Sequence, residues 1–228
     1  MPITDSPIQV WRVSLARAEM EMAERLSILS ADERARAARF IDRRSGVDFV
    51  MVRSTLRSLL GAALRESAGD LKFHYGATGR PTVVNYPGLR FSVSHARDVA
   101  LIAIAQAHVG VDVEFHESGV VEQIFGEMLT PEECARVARA VSPTAAFYDH
   151  WTMKEAFLKV CGSGLSRHPR GVHVDPDTTH WFDGCVLVRL PVVGACSAAL
   201  AVRWPQGSTP NVQICEAGDT GAAMALRL

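Results

Sequence analysis

Apolar residues recur along the chain with two different periods, and the period predicts which segments are helices and which are strands. Between Phe49 and Ala63 they recur every three or four positions, which predicts an amphipathic helix over residues 47–65. Shorter stretches of the same period predict five more helices, over residues 18–28, 32–40, 120–127, 131–140 and 144–161. Ser30 is a suitable N-cap for the helix over residues 32–40.

Short apolar runs rich in β-branched residues predict the strands. They cover residues 8–13, 73–75, 91–95, 99–105, 109–115, 185–190, 198–204 and 212–216. The order is a strand, helices and strands, followed by the same order again. This order predicts an α+β fold of two pseudo-symmetric halves, each a small antiparallel sheet packed against helices. We place the boundary near residue 108, so that residues 1–108 and 109–228 form the halves; the prediction rests on element order, since we find no repeat of residues.

Composition excludes several classes of protein. The 228 residues include 24 lysines and arginines and 25 acidic residues. The net charge is therefore close to zero and predicts neither a nucleic-acid partner nor a membrane partner. No apolar run approaches the roughly 18–20 residues of a spanning helix, and the N-terminus lacks the pattern of a signal peptide. The five cysteines form no C-x-x-C pair, which predicts reduced thiols in a cytoplasmic protein. We expect a monomer.

Charge is uneven only locally. Residues 32–65 contain eight arginines and four acidic residues, a cationic excess in an otherwise neutral chain. An anionic ligand would therefore have to meet a local basic patch.

Three carboxylates and two lysines are the strongest candidates for chemistry. Asp112 and Glu114 alternate on a predicted strand and so share one face. On a predicted helix, Glu155 lies next to Lys154 and one turn from Lys159. Carboxylate oxygens suit a hard divalent cation, and ammonium groups suit a phosphate.

An ordinary edge strand and a solvated helix face would carry the same charged residues. The glycines beside them, Gly110 and the pair in Gly162-Ser163-Gly164, favour a site because they allow close approach of the backbone to a ligand. We expect Trp151, one turn before Glu155, to pack in the core and orient that carboxylate.

Three further residues are candidates for binding an anion. Ser94 and His95 are neighbours on a strand, so they face opposite ways, and no G-x-S-x-G motif surrounds the serine. They therefore suit phosphate binding better than nucleophilic catalysis. Arg80, in a turn between Gly79 and Pro81, could hold an anion or stack on a base.

At these positions the chain resembles the 4'-phosphopantetheinyl transferase superfamily, of the surfactin-synthetase-activator (Sfp-like) type. The family motifs G-[VI]-D-[VI]-E, W-x-x-K-E-[AS]-x-x-K and G-x-G-L correspond to residues 110–114, 151–159 and 162–165. Weaker signatures correspond to residues 79–81, 91–95 and 129–133. The resemblance covers residues 30–165, most of the chain.

The resemblance implies a reaction and a site. Coenzyme A would lie in the cleft between the halves, and its phosphopantetheinyl arm would pass to a serine of an acyl or peptidyl carrier protein, releasing adenosine 3',5'-bisphosphate. Magnesium, with manganese as a substitute, would be held by Asp112, Glu114 and Glu155. The implied contacts with coenzyme A come from Lys154, Lys159, Arg36, Arg80, Ser94 and His95, the last four at the 3'-phosphoadenosine end. Glu155 and Lys159 would be catalytic, and the base would be Glu155 or a water held by the metal.

One departure concerns Arg36. Where relatives often have two lysines, this chain has Glu33 and Arg36, so only one cation is retained. Two alternatives to the transferase stay open: a magnesium-dependent hydrolase of a coenzyme A or nucleotide pyrophosphate, and a non-catalytic module that binds coenzyme A or a carrier protein. The second would predict the loss of a metal ligand, and all three carboxylates are present.

Overall fold

The computed structural model of the protein describes residues 7–16, 22–76, 79–117, 119, 121–162, 167–192, 194–217 and 223–226. The strands in these ranges are β1 Ile8–Ser14, β2 Phe73–Tyr75, β3 Pro81–Val83, β4 Arg90–Ala96, β5 Val99–Ala105, β6 Val109–Phe115, β7 His180–Phe182, β8 Cys185–Arg189, β9 Cys196–Arg203, β10 Val212–Glu216 and β11 Ala223–Leu226. The helices are α1 Met22–Ile28, α2 Ala31–Ala37, α3 Arg43–Leu64, α4 Val121–Met128, α5 Pro131–Arg139 and α6 Pro143–Cys161, and a 3-10 turn follows at Pro169–Gly171. No described helix is both long and apolar enough to cross a membrane.

The predicted elements are found, with their ends shifted by a few residues, and the start of the first predicted helix lies outside the described residues. Three strands were not predicted: β3, β7 and β11. Each has only three or four residues, too few for an alternating pattern to stand out.

The two main sheets repeat one topology, which confirms the predicted fold class. The first contains the order β1-β5-β4 and the second the order β6-β9-β8, with antiparallel neighbours in both. Helix α3 packs on the first sheet through residues such as Leu56 and Ile102, and α6 packs on the second through residues such as Phe157 and Leu187. Each half is therefore a small sheet covered by one long helix.

The C-terminal strands do not stay with the second sheet. β10 pairs in parallel with β1, with Ile8 opposite Val212, and β11 pairs with β10. Val212 and Ile214 join the apolar cluster that contains Ile8. Strands β10 and β11 therefore extend the first sheet, although the predicted division places them in the stretch 109–228.

The helix pairs of the two halves begin alike. Leu29 and Leu129 are buried just before α2 and α5. The carboxylate of Glu33 accepts a hydrogen bond from the backbone N–H of Ser30, and that of Glu133 accepts one from Thr130. These are capping-box contacts, and they show the pseudo-symmetry at the level of single residues.

Candidate active site

Gly110 lets helix α6 lie directly on strand β6. A Cβ atom at Gly110 would stand 2.1 Å from the carbonyl oxygen of Ala156 and 3.0 Å from Cβ of Lys159. The glycine is therefore required by contact between helix and strand, and the expectation that it makes room for a ligand is wrong. The close approach brings the Glu155–Lys159 face of α6 against the strand that carries Asp112 and Glu114.

Asp112 is the most buried acid of this group, with 3% of its surface exposed. Its Oδ1 accepts hydrogen bonds from Lys159 Nζ at 2.7 Å and from Ser94 Oγ at 2.8 Å. Its Oδ2 is buried and has no hydrogen-bond partner among the described residues. Burial raises the pKa of Asp112, and the charge of Lys159 opposes that rise. One oxygen is thus held in place while the other is left without a partner.

Glu155, on the helix, also has a buried carboxylate oxygen. Its Oε1 is buried, and no described residue hydrogen-bonds it. Burial and the charge of Asp112 raise the pKa of Glu155, while Lys159 lowers it. The carboxylates of the strand and the helix therefore act on each other electrostatically.

Glu114 completes the group. Burial and the charge of Asp112 raise its pKa from an ordinary 4.5 to about 7, although the side chain accepts a hydrogen bond from Trp151. The indole of Trp151 stacks on Phe147, with ring centroids 6.3 Å apart. Trp151 thus packs as expected, but its polar atom holds Glu114.

The carboxylates fit a divalent cation. A cation would bond the two buried oxygens that lack partners and would lower the raised pKa values of the carboxylates. Among the described residues, no three His, Cys, Asp or Glu side chains converge closely enough to form a metal site by themselves. Magnesium is commonly bound by one or two protein carboxylates, with waters and phosphate oxygens completing its octahedron, so a set of three converging side chains is not required.

The raised pKa of Glu114 predicts a pH dependence of stability in the absence of metal. The folded protein holds an extra proton between about pH 4.5 and 7, so the free energy of unfolding should fall as the pH rises through that window. Denaturant titrations in EDTA at several pH values in this range would measure it. The Glu114→Gln variant should lose this contribution, and an identical slope in the variant would contradict the assignment.

A cavity of about 460 Å³ opens beside the carboxylates, between α3 and α6. Its apolar wall is formed by Phe49, Val52, Leu56, Phe91 and Leu158. Its polar lining includes Arg53, Arg80, Ser92, His95, Glu155 and Lys159. The cavity therefore joins an apolar surface large enough for a ring to a group of cations and carboxylates.

Phe49, Arg53 and Ser92 are among the lining residues that were not predicted as site residues from the sequence. Phe49 and Arg53 lie one turn apart on α3, so the helical period could have placed them together. It could not show that their face lines a cavity.

Comparison with known proteins identifies the family. A family model described as the 4'-phosphopantetheinyl transferase superfamily matches residues 108–183, a range that holds both carboxylate motifs. A 4'-phosphopantetheinyl transferase of Nostoc sp. is 30% identical over 73% of this chain and 73% of its own length. The chain belongs to this family.

Two Bacillus relatives agree. The transferase psf-1 of Bacillus pumilus is 27% identical over 70% of this chain and 69% of its own length. The transferase Sfp of Bacillus subtilis is 24% identical over 62% and 63%, respectively. The protein is thus an enzyme of the transferase class.

Within the family motifs, the structure brings some residues to the site and not others. Ser94 bonds Asp112, and His95 is exposed at the cavity. Arg36 is exposed, with its guanidinium 5.0 Å from the centre of the Phe49 ring, so it reaches the cavity wall only through that ring. Gly162 ends α6 in the left-handed conformation at φ 67°, and Ser163, Gly164 and Leu165 lie outside the described residues.

Lys154 does not lie at the site, which corrects the expected phosphate contact. Its side chain is fully buried, and its Nζ lies 2.8 Å from Glu133 Oε2. The ammonium also donates to the carbonyls of Pro169 and Val172. Lys154 and Glu155 are neighbours in sequence, but side chains one residue apart on a helix point about 100° apart.

Arg80 lies at the cavity but with unexpected partners. Its Nη1 donates to the carbonyl oxygens of Lys159 and Val160 at 3.0 Å each, and its Nη2 donates to that of Val109 at 2.8 Å. Burial and the charge of Arg90 lower the pKa of Arg80. Its position at the cavity agrees with the prediction, while its bonds are to the backbone of the second half.

Proposed function

We propose that this protein transfers the 4'-phosphopantetheine arm of coenzyme A to a serine of an acyl or peptidyl carrier protein. The observation that carries the proposal is the group formed by Asp112, Glu114 and Glu155, with two partnerless oxygens beside the cavity. A cation would bond these oxygens, and the oxygens of a pyrophosphate would complete the coordination of that cation. Membership of the family supports the same reaction.

The donor would bind in the cavity. The rings of Phe49 and Phe91 offer an apolar surface for the adenine base. His95 and Ser92, from β4, offer hydrogen bonds to phosphate. The exposed Arg36 would add positive charge at the 3'-phosphate end, the side assigned to the N-terminal half, whereas Arg53 lines the cavity with its charge paired to Glu33.

Asp112, Glu114 and Glu155 would hold magnesium, with manganese as a substitute. When bound, the metal would lower the charge of the pyrophosphate and favour departure of the bisphosphate. Lys159, held by Asp112 and the carbonyl of Val111, would keep a positive charge next to the same oxygens. Ser94 fixes the orientation of Asp112 from the other side.

The reaction is an in-line phosphoryl transfer. The carrier serine oxygen forms a bond to the β-phosphorus of coenzyme A, and the bond from that phosphorus to the oxygen bridging it to the α-phosphorus breaks. Adenosine 3',5'-bisphosphate leaves with the bridging oxygen and its electron pair. The serine proton would pass to Glu155 or to a water that the metal would hold.

The alternative of a pyrophosphate hydrolase uses the same carboxylates but puts water in place of the serine. A non-catalytic binding module would keep the cavity and need no metal. The transferase and the hydrolase differ in whether consumption of coenzyme A requires an acceptor protein.

Intact-mass measurement tests the proposal. We expect an unmodified carrier protein, incubated with the enzyme, coenzyme A and magnesium, to gain the mass of one phosphopantetheinyl group. The gain should be absent in EDTA and with a carrier whose acceptor serine is replaced by alanine. Cleavage of coenzyme A without any modification of several carriers would replace the transferase with the hydrolase, and binding without either change would favour the non-catalytic module.

A further inference from the structure

Arg80 joins the two halves at the end of α6, the helix that carries Glu155 and Lys159. It comes from the turn before β3, in the first half, and its three hydrogen bonds all go to backbone carbonyls of the second. Two of them are on the last turn of α6 and the third is on the first residue of β6. Three of its five N–H groups are therefore committed to the protein itself.

The three carbonyls bonded by Arg80 lie close in the chain to the carboxylates of Glu155 and Asp112. The last four carbonyls of a helix have no partner within the helix, and a guanidinium both bonds them and suits the negative end of the helix dipole. Val109 immediately precedes Gly110, where the backbones of α6 and β6 meet. Arg80 thus ties helix to strand one turn from Glu155 and three residues from Asp112.

We propose that Arg80 is a positioning residue, which sets the separation of Glu155 and Lys159 from Asp112 by holding the end of α6 on β6. The inference rests on the proposed transfer reaction, but it differs from the role that the family resemblance implies, a grip on the 3'-phosphoadenosine end of the donor. A planar fork that meets three carbonyls at once is a geometry that lysine cannot reproduce. The two roles therefore predict different behaviour of the same variants.

The deciding experiment compares coenzyme A with 3'-dephospho-coenzyme A as donors. If Arg80 positions the carboxylates, Arg80→Ala should lower kcat by about 10²-fold with either donor, because a displacement near 1 Å in a reacting group has an effect of that size. The two fold losses should agree within about twofold, as independent effects do. If Arg80 instead holds the 3'-phosphate, most of the loss should appear in KM and vanish with the dephosphorylated donor, and the inference would be overturned.

Three further variants sharpen the comparison. Arg80→Lys keeps the charge but not the fork, so it should lose kcat nearly as Arg80→Ala does; recovery by lysine would indicate a phosphate contact and overturn the inference. His95→Ala shows what a contact with the donor looks like in the same assay. Arg139→Ala removes an exposed arginine that also bonds a backbone carbonyl, that of Ala135, and should leave kcat and KM unchanged.

A second readout does not depend on the reaction. Backbone amides near the end of α6, around residues 156–162, should exchange hydrogen at least about tenfold faster in Arg80→Ala and Arg80→Lys than in the wild type. This is the effect expected when a hydrogen bond from a charged group is lost. Failure of the wild type to modify a carrier would overturn the proposed function, whereas unchanged exchange at this helix end would overturn the role of Arg80. If Arg80→Ala does not fold, the lysine variant carries both measurements.

Discussion

Replacing Asp112 with asparagine should lower kcat for phosphopantetheinyl transfer by about 10³-fold, the scale of the several kcal/mol that a metal centre supplies. Asp112 receives Lys159 and Ser94 on one oxygen and presents the other, buried and without a partner, to the site. An amide keeps the shape but removes the charge that a cation needs. Because burial already raises the pKa of Asp112, a neutral side chain should be tolerated by the fold.

The measurement is the initial rate of carrier modification at saturating coenzyme A and magnesium, together with the thermal unfolding midpoint. Asp48→Asn is a matched control. Asp48 is also buried and paired with a cation, Arg44, but it lies on α3 outside the cavity. We expect the control to lose stability and keep its rate. Full activity of Asp112→Asn would show that the cation, if there is one, is held elsewhere.

The part of the site that sequence could predict is the part set by local geometry. Alternation on a strand places Asp112 and Glu114 on one face, and the spacing of four places Glu155 and Lys159 on one side of a helix. Both relations depend only on the element and its period. The structure shows the same pairs facing each other, since Lys159 bonds Asp112 directly.

What sequence could not predict are the partners supplied by distant elements. The three carbonyls bonded by Arg80 are separated from it by 29 to 80 residues. The pairing of β10 with β1 joins residues about 200 positions apart, such as Ile8 and Val212. No local pattern specifies such contacts, because each is decided by how the two sheets and their helices pack.

One long-range signal was present in the sequence and was missed. The segments Leu29-Ser30-x-x-Glu33 and Leu129-Thr130-x-x-Glu133 repeat the same capping motif 100 residues apart. In both halves the glutamate is buried and paired with a cation from the following long helix: Arg57 on α3 and Lys154 on α6. Had the repeat been noticed, Lys154 would have been matched with a buried structural cation and not with the substrate.

This comparison leads to the second large effect. Lys154→Met should destabilise the protein by about 3–5 kcal/mol, because it leaves the buried carboxylate of Glu133 without its partner. For a chain of this size that corresponds to a fall of roughly 10 °C in the unfolding midpoint. The rate per folded molecule and the KM for coenzyme A should stay close to wild type. Thermal unfolding and steady-state kinetics well below the midpoint would separate the two quantities.

Lys159→Met is the matched comparison, since it removes the other lysine of the same motif from the same helix. It should lose activity with a much smaller change in stability, because the Lys159 side chain is partly exposed and bonds Asp112, a proposed metal ligand. The double variant Glu133→Gln/Lys154→Met should recover much of the lost stability, as buried pairs do when both charges are removed. If Lys154→Met unfolds like the wild type but has a higher KM for coenzyme A, this lysine contacts the substrate, and the structural role assigned to it is wrong.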